Sequence, residues 1–147
     1  MDHRVERLRT PAECAIFARN AVAKNRPDLA LEANRRAVNL NVSTHEALTP
    51  LEAEGFATVY AYEALLSHRN GKKMRAASTW QDIKSRGIVA AITKVVSRRS
   101  QTDNRSELRA IGLEDLTFEA FVVRNEASFG ADTVQLSKER LAIAVAA

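Results

Sequence analysis

Cysteine, proline, glycine and aromatic residues are all scarce in this chain, and each shortage removes a class of protein. With one cysteine, Cys14, in 147 residues no intrachain disulfide can form, which excludes a secreted disulfide scaffold. Three prolines, five glycines and 5% aromatic residues are too few for a β-sandwich or barrel, which needs more turn residues and more β-branched and aromatic side chains. No apolar run reaches the length of a membrane span, so no membrane partner is expected. The opening MDHRVERLRT lacks the apolar core of a signal peptide, which makes the cytoplasm the expected location. Five scattered glycines build no nucleotide loop. The histidines His3, His45 and His68 have no metal-ligand spacing with Cys14 or with one another. No Ser/His/Asp signature can be assembled either. The expectation is therefore no metal, no cofactor and no catalytic group, with enzyme activity disfavoured.

What remains is 46% hydrophobic and 27% charged, a balance that suits helices. The expected fold is all-α, a compact bundle of about seven helices in one domain. Thr10-Pro11-Ala12-Glu13 has the form of a capping box with proline at the first helical position. Cys14, Phe17, Ala18, Ala21 and Val22 then form one apolar stripe. Pro27-Asp28 restarts a helix to about Asn41, carrying Leu29, Leu31, Ala33, Ala37, Val38 and Leu40. Thr49-Pro50-Leu51-Glu52 opens the longest helix, about 50 to 69, with Gly71 as its stop. A short helix at 79–86 ends at Gly87, and another at 88–99 carries Ile88, Ile92, Val95 and Val96 on one face. The polar stretch 100–106 is the best internal boundary. Ser106 is the expected cap of a short helix ending near Gly112. Helices over 113–124, with Leu116, Phe118, Phe121 and Val122, and over 131–145 complete the chain.

Residues 14–41, CAIFARNAVAKNRPDLALEANRRAVNLN, resemble a tetratricopeptide unit. The small residues Ala18 and Ala21, the turn Asn25-Arg26-Pro27-Asp28, and the run Ala30-Leu31-Glu32-Ala33 with Ala37-Val38 carry the likeness. No second copy follows at the repeat spacing, and a solenoid needs about three. The resemblance implies an N-terminal helical hairpin with small residues at its crossing, not a peptide-binding array.

Charge is segregated along the chain. Residues 69–99 hold nine cations, Arg69, Lys72, Lys73, Arg75, Lys84, Arg86, Lys94, Arg98 and Arg99, against the single acid Asp82. That is +8 in a protein whose total is +4. Like charges held close repel unless a counter-charge arrives, so these nine are the candidate anion-binding residues. The segment RNGKKMR reads as a loop in which backbone N–H groups and cations approach phosphate together. The alternative is a solvated or internally paired surface, and Arg98 and Arg99 also complement a helix C-terminus. The short turn at Gly87 invites a helix-turn-helix, but the second helix opens with Ile88, Val89, Ala90 and Ala91, which cannot hydrogen-bond to bases. Trp80, the only tryptophan, lies among the cations and is able to stack on a base or on an arginine. Its helical face, shared with Ile83, points rather to burial against the 88–99 helix.

Glu52 and Glu63 fall on the stripe Glu52, Phe56, Val59, Glu63, Leu66. They are separated by about 16 Å along a helix, too far for one metal or one proton relay. Glu52 belongs to the capping box. Glu63 is expected to pair with Arg69, Arg75 or Arg86 and anchor the basic loop. From residue 107 onward the charge reverses to −3. The leading expectation is a protein that grips the phosphates of nucleic acid or another polyanion. An adaptor for an acidic protein partner, or self-association as a homo-oligomer, is the alternative. An enzyme acting on a phosphorylated small molecule is third.

Overall fold

All three prolines stand at the first position of a helix, where the missing N–H would have had no partner anyway. The computed structural model describes residues 1–98 and 104–146. Within them nine α-helices follow one another: α1 His3–Glu6, α2 Pro11–Ala23, α3 Pro27–Ser43, α4 Pro50–Asn70, α5 Ala77–Arg86, α6 Ile88–Ser97, α7 Arg105–Ala110, α8 Phe118–Arg124 and α9 Ala131–Ala146. Two 3-10 turns, Glu114–Leu116 and Glu126–Ser128, flank α8, and the described residues contain no strand. The fold is all-α and compact, as composition predicts.

Local chemistry explains the boundaries. At α4 the capping box is complete: Glu52 N–H donates to Thr49 Oγ1 at 3.1 Å and Thr49 N–H donates to Glu52 Oε1 at 3.0 Å. At α2 Thr10 Oγ1 accepts from Glu13 N–H, but the Glu13 carboxylate takes the N–H of Arg9 instead of the cap's own. Gly71 ends α4 in the left-handed region, φ 69°, where a Cβ would be penalised.

α2 and α3 form the N-terminal hairpin, the most extensive helix pair in the molecule. Ala21, Leu29 and Ala30 lie at its crossing, with Phe17 and Ala18 against them, and Cys14 is 1% exposed. α1, which the sequence pattern did not announce, packs on α3 and buries Val5 completely. Arg36 of α3 fastens it by donating to the carbonyls of Leu8 and Glu6.

α4 is the central helix. One side of it, Phe56 and Val59, meets α6 (Ile88, Ile92, Val95, Val96), α8 (Phe118, Phe121, Val122) and Phe129. The opposite side, Ala61 and Leu65, joins Val38 of α3 and Leu108, Ile111, Leu113 and Leu116. A helix apolar on more than one side is a buried one. Gly55 permits the close approach of α6, since a Cβ there would sit 2.5 Å from Ile88 Cγ1 and 3.1 Å from Phe121 Cζ.

Three sequence expectations fail locally. Val22 is 61% exposed, because it lies about 100° round the helix from Ala21, away from the side on which α2 packs against α3. Ser106 sits inside α7, whose first residue is Arg105. The single helix over 113–124 is broken at Thr117, which is extended (φ −75°, ψ 155°) and caps α8 by accepting from Ala120 N–H at 3.1 Å. The break lets Leu116 serve one core cluster and Phe118 the other. Arg99 and most of the polar stretch 100–106 lie outside the described residues.

Candidate nucleic-acid interface

The basic loop between α4 and α5 is folded back along α4 by two side chains one turn apart on that helix. Ser67 Oγ accepts from Met74 N–H at 2.8 Å. Glu63 Oε2 accepts from Ala76 N–H at 2.8 Å and from Trp80 Nε1–H at 2.7 Å. Ala76 is the N-cap of α5 and offers no side-chain oxygen of its own. The Glu63 carboxylate therefore takes the N–H of the N-cap residue, as the glutamate of a capping box does, but from a neighbouring helix, and faces the positive end of α5. Arg75 Nε stands 3.9 Å from the same oxygen, a looser contact, and its side chain is 67% exposed. So Glu63 does anchor the loop, mainly through two neutral N–H donors, with one of the three predicted cations nearby.

The nine predicted cations divide by what they touch. Arg69, in the last turn of α4, is bound in two-pronged fashion by Glu107 of α7, at 2.7 and 3.0 Å. That pairing lowers the Glu107 pKa through the Arg69 hydrogen bonds and raises that of Arg69. Lys94 donates to Asp82 at 3.1 Å, tying α6 to α5, and Asp82 is only 16% exposed. Lys72, Lys73, Lys84 and Arg86 are exposed and make no ion pair among the described residues. Arg98 is exposed just beyond α6, and its carbonyl accepts from Arg140. Arg99 lies outside the described residues. Three acids that face the loop and α5 among the described residues are thus already engaged: Glu63 by N–H groups, Asp82 by Lys94, Glu107 by Arg69.

Trp80 is half-buried, against α4 and the α3–α4 connection and not only the α6 side expected from Ile83. Its ring lies 5.2 Å from Phe56 edge-on, 4.9 Å from Tyr60, and 6.0 Å from His45 in a near-parallel stack, 20° between planes. His45 Nε2 and Tyr60 Oη are 2.7 Å apart, and burial pushes the Tyr60 hydroxyl pKa up. Phe56, Tyr60, Glu63 and Ser67 thus form one face of α4 that seats both the loop and α5. The rest of the Trp80 surface opens into a shallow cleft of about 330 Å³ lined by Arg75, Ala77, Trp80, Gln81 and Lys84.

Sequence reasoning placed Arg75, Lys84 and Trp80 in one region but did not join them into a cleft. The spacing was available, since Ala77, Trp80, Gln81 and Lys84 recur at i, i+3, i+4, i+7 on α5. Gln81 was missed because a glutamine carries no charge signal. The first turn of α6 has Ile88 and Ala91 in the core and shows outward only Val89 and Ala90, which carry no hydrogen-bonding group for a base. Among the described residues no three His, Cys, Asp or Glu side chains are grouped to hold a metal, and no helix is long and apolar enough to cross a membrane. No family model matches the chain, and neither does any curated protein or solved structure.

Proposed function

We propose that this protein binds nucleic acid through its phosphates, using the loop 71–75 and the outer face of α5. One observation carries the reading: among the described residues Glu63, Asp82 and Glu107 are taken by other partners, while Lys72, Lys73, Lys84 and Arg86 stand exposed without an ion pair. Cations that no protein acid neutralises favour a polyanion, and release of its counterions drives binding. The leading turn of α6 buries Ile88 and Ala91 and turns only the apolar Val89 and Ala90 outward, which supports a grip on phosphates over a reading of sequence.

The test is binding of DNA and RNA oligonucleotides at two salt concentrations, wild type beside a Lys72→Ala/Lys73→Ala double variant. The expected result is binding that weakens steeply with salt, and a shallower salt dependence for the variant. No binding by wild type at low salt contradicts the proposal. A second reading, docking of an acidic protein partner, draws support from the outer face of α2, where Ile16 and Val22 are 51% and 61% exposed.

A further inference from the structure

We infer that the cleft on α5 takes an unpaired nucleobase, held against Trp80 with its flanking phosphates on Arg75 and Lys84. This inference rests on the nucleic-acid reading and narrows it to single strands. Four observations meet at the cleft. It is a shallow, open concavity of about 330 Å³, and Trp80 is among the residues that line it. Arg75 and Lys84 both line it, with Lys84 two turns, about 10 Å, beyond Ala77 along α5. Neither cation is consumed: Lys84 makes no ion pair among the described residues, and Arg75 approaches Glu63 only at 3.9 Å, through Nε. Gln81, also in the lining, offers both a donor and an acceptor to a base edge.

The ring is also fixed in advance. Its N–H is held by Glu63 at 2.7 Å, and His45, Phe56 and Tyr60 pack around it. A stacking surface that is already immobile loses little freedom when a ligand arrives. Aromatic side chains stack on any base, and cations beside them track the backbone, which is the general design of single-strand binding surfaces. A paired base shows its π-face to its neighbours in the duplex and not to the protein, so a duplex has nothing to place on Trp80.

Trp80 is the only tryptophan, so its own fluorescence reports on the cleft without labelling. The protein is titrated at low salt with single-stranded oligothymidylate, with a duplex of the same length, and with heparin, a polyanion without bases. Saturable quenching by oligothymidylate is expected, with heparin binding but leaving the emission largely unchanged. Arg75→Ala/Lys84→Ala, a surface change that keeps the ring, should weaken oligothymidylate binding. Trp80→Phe keeps a stacking ring, and Trp80→Leu should cost at least about fivefold in affinity beyond it. Should Trp80→Leu fail to fold, the wild-type quenching and the Arg75/Lys84 variant still decide. Oligothymidylate binding with no change in Trp80 emission, or equal quenching by duplex, overturns the cleft inference and leaves the phosphate grip standing. Absence of binding by oligothymidylate, duplex and heparin alike overturns both.

Discussion

Glu63 is the residue on which the most depends. One of its oxygens accepts two hydrogen bonds, from the α5 cap and from the Trp80 indole, at a side chain only 12% exposed. Glu63→Ala leaves both donors unmet, and an unsatisfied buried donor costs about 1–3 kcal/mol. Glu63→Gln retains an acceptor at the same place and should recover most of the loss. Denaturant midpoints of the two variants check this, together with the Trp80 emission maximum, which should shift to the red in Glu63→Ala alone. Equal loss in both variants would mean that charge, not hydrogen bonding, is what α5 requires. Cys14, 1% exposed and with its thiol pKa pushed up by burial, should resist alkylation in the native state. Rapid native labelling would contradict its place in the hairpin. At this scale the sequence announced that Glu63 was unusual, because a carboxylate on an apolar stripe needs a partner. It did not reveal a backbone N–H and an indole as the partners, since both are brought there only by the return of the chain along α4.

Among the elements, starts were more legible than packing. Proline at N1 and the threonine caps mark α2 and α4 by local chemistry that needs no tertiary context. The break at Thr117 went unread because no proline or glycine marks it between Leu116 and the helical stripe Phe118, Phe121 and Val122, and only the two core clusters they serve separate them. Thr117→Ala removes the cap of α8 and should cost about 1 kcal/mol. Thr117→Ser should be nearly neutral, as thermal unfolding of the two variants can verify. The crossing of α4 with α6 depends on Gly55, in the middle of a helix. Alanine would raise helix propensity by up to about 1 kcal/mol. Its Cβ would meet Ile88 Cγ1 at 2.5 Å in a buried site. Overpacking of that kind costs about 1–3 kcal/mol, so Gly55→Ala should destabilise despite the better helix former. A gain in stability would show that α6 is free to move away. Gly112, with φ 81° and Leu31 Cβ 2.9 Å from where its own would stand, admits no side chain for two separate reasons.

At the scale of the molecule, charge organises both stability and function. Arg4 hydrogen bonds hold the Asp2 carboxyl at about 2, against an ordinary 3.8. Arg26 does the same in direction for Asp28, and Arg69 for Glu107. At Asp115 burial pushes the carboxyl up, and the Arg35 hydrogen bonds and charge, its own backbone N–H and the nearby Arg124 together outweigh it, leaving the pKa lowered. A carboxylate whose folded pKa is depressed contributes stability above its unfolded value and loses it as pH falls through the folded one. Stability should therefore be flat above pH about 5 and decline toward pH about 2. These pairs are largely exposed, so the decline should also be softened by salt. Urea midpoints across that range at low and moderate salt check both statements. The excess of cations in residues 69–99 was plain from the sequence, but their division into paired and unpaired was not, because Glu107 lies far along the chain from Arg69, and Asp82 and Lys94 stand on different helices that only the turn at Gly87 brings together. That division is the central claim, and the salt dependence of oligonucleotide affinity tests it most directly. Lys72→Ala/Lys84→Ala removes two unpaired cations and should lower the slope of log affinity against log salt by about 0.7–0.9 for each. Asp82→Asn/Lys94→Met removes a bonded pair at no change in net charge and should leave the slope as it is. A slope that falls with the loss of the Asp82–Lys94 pair, and holds with the loss of Lys72 and Lys84, would contradict the account.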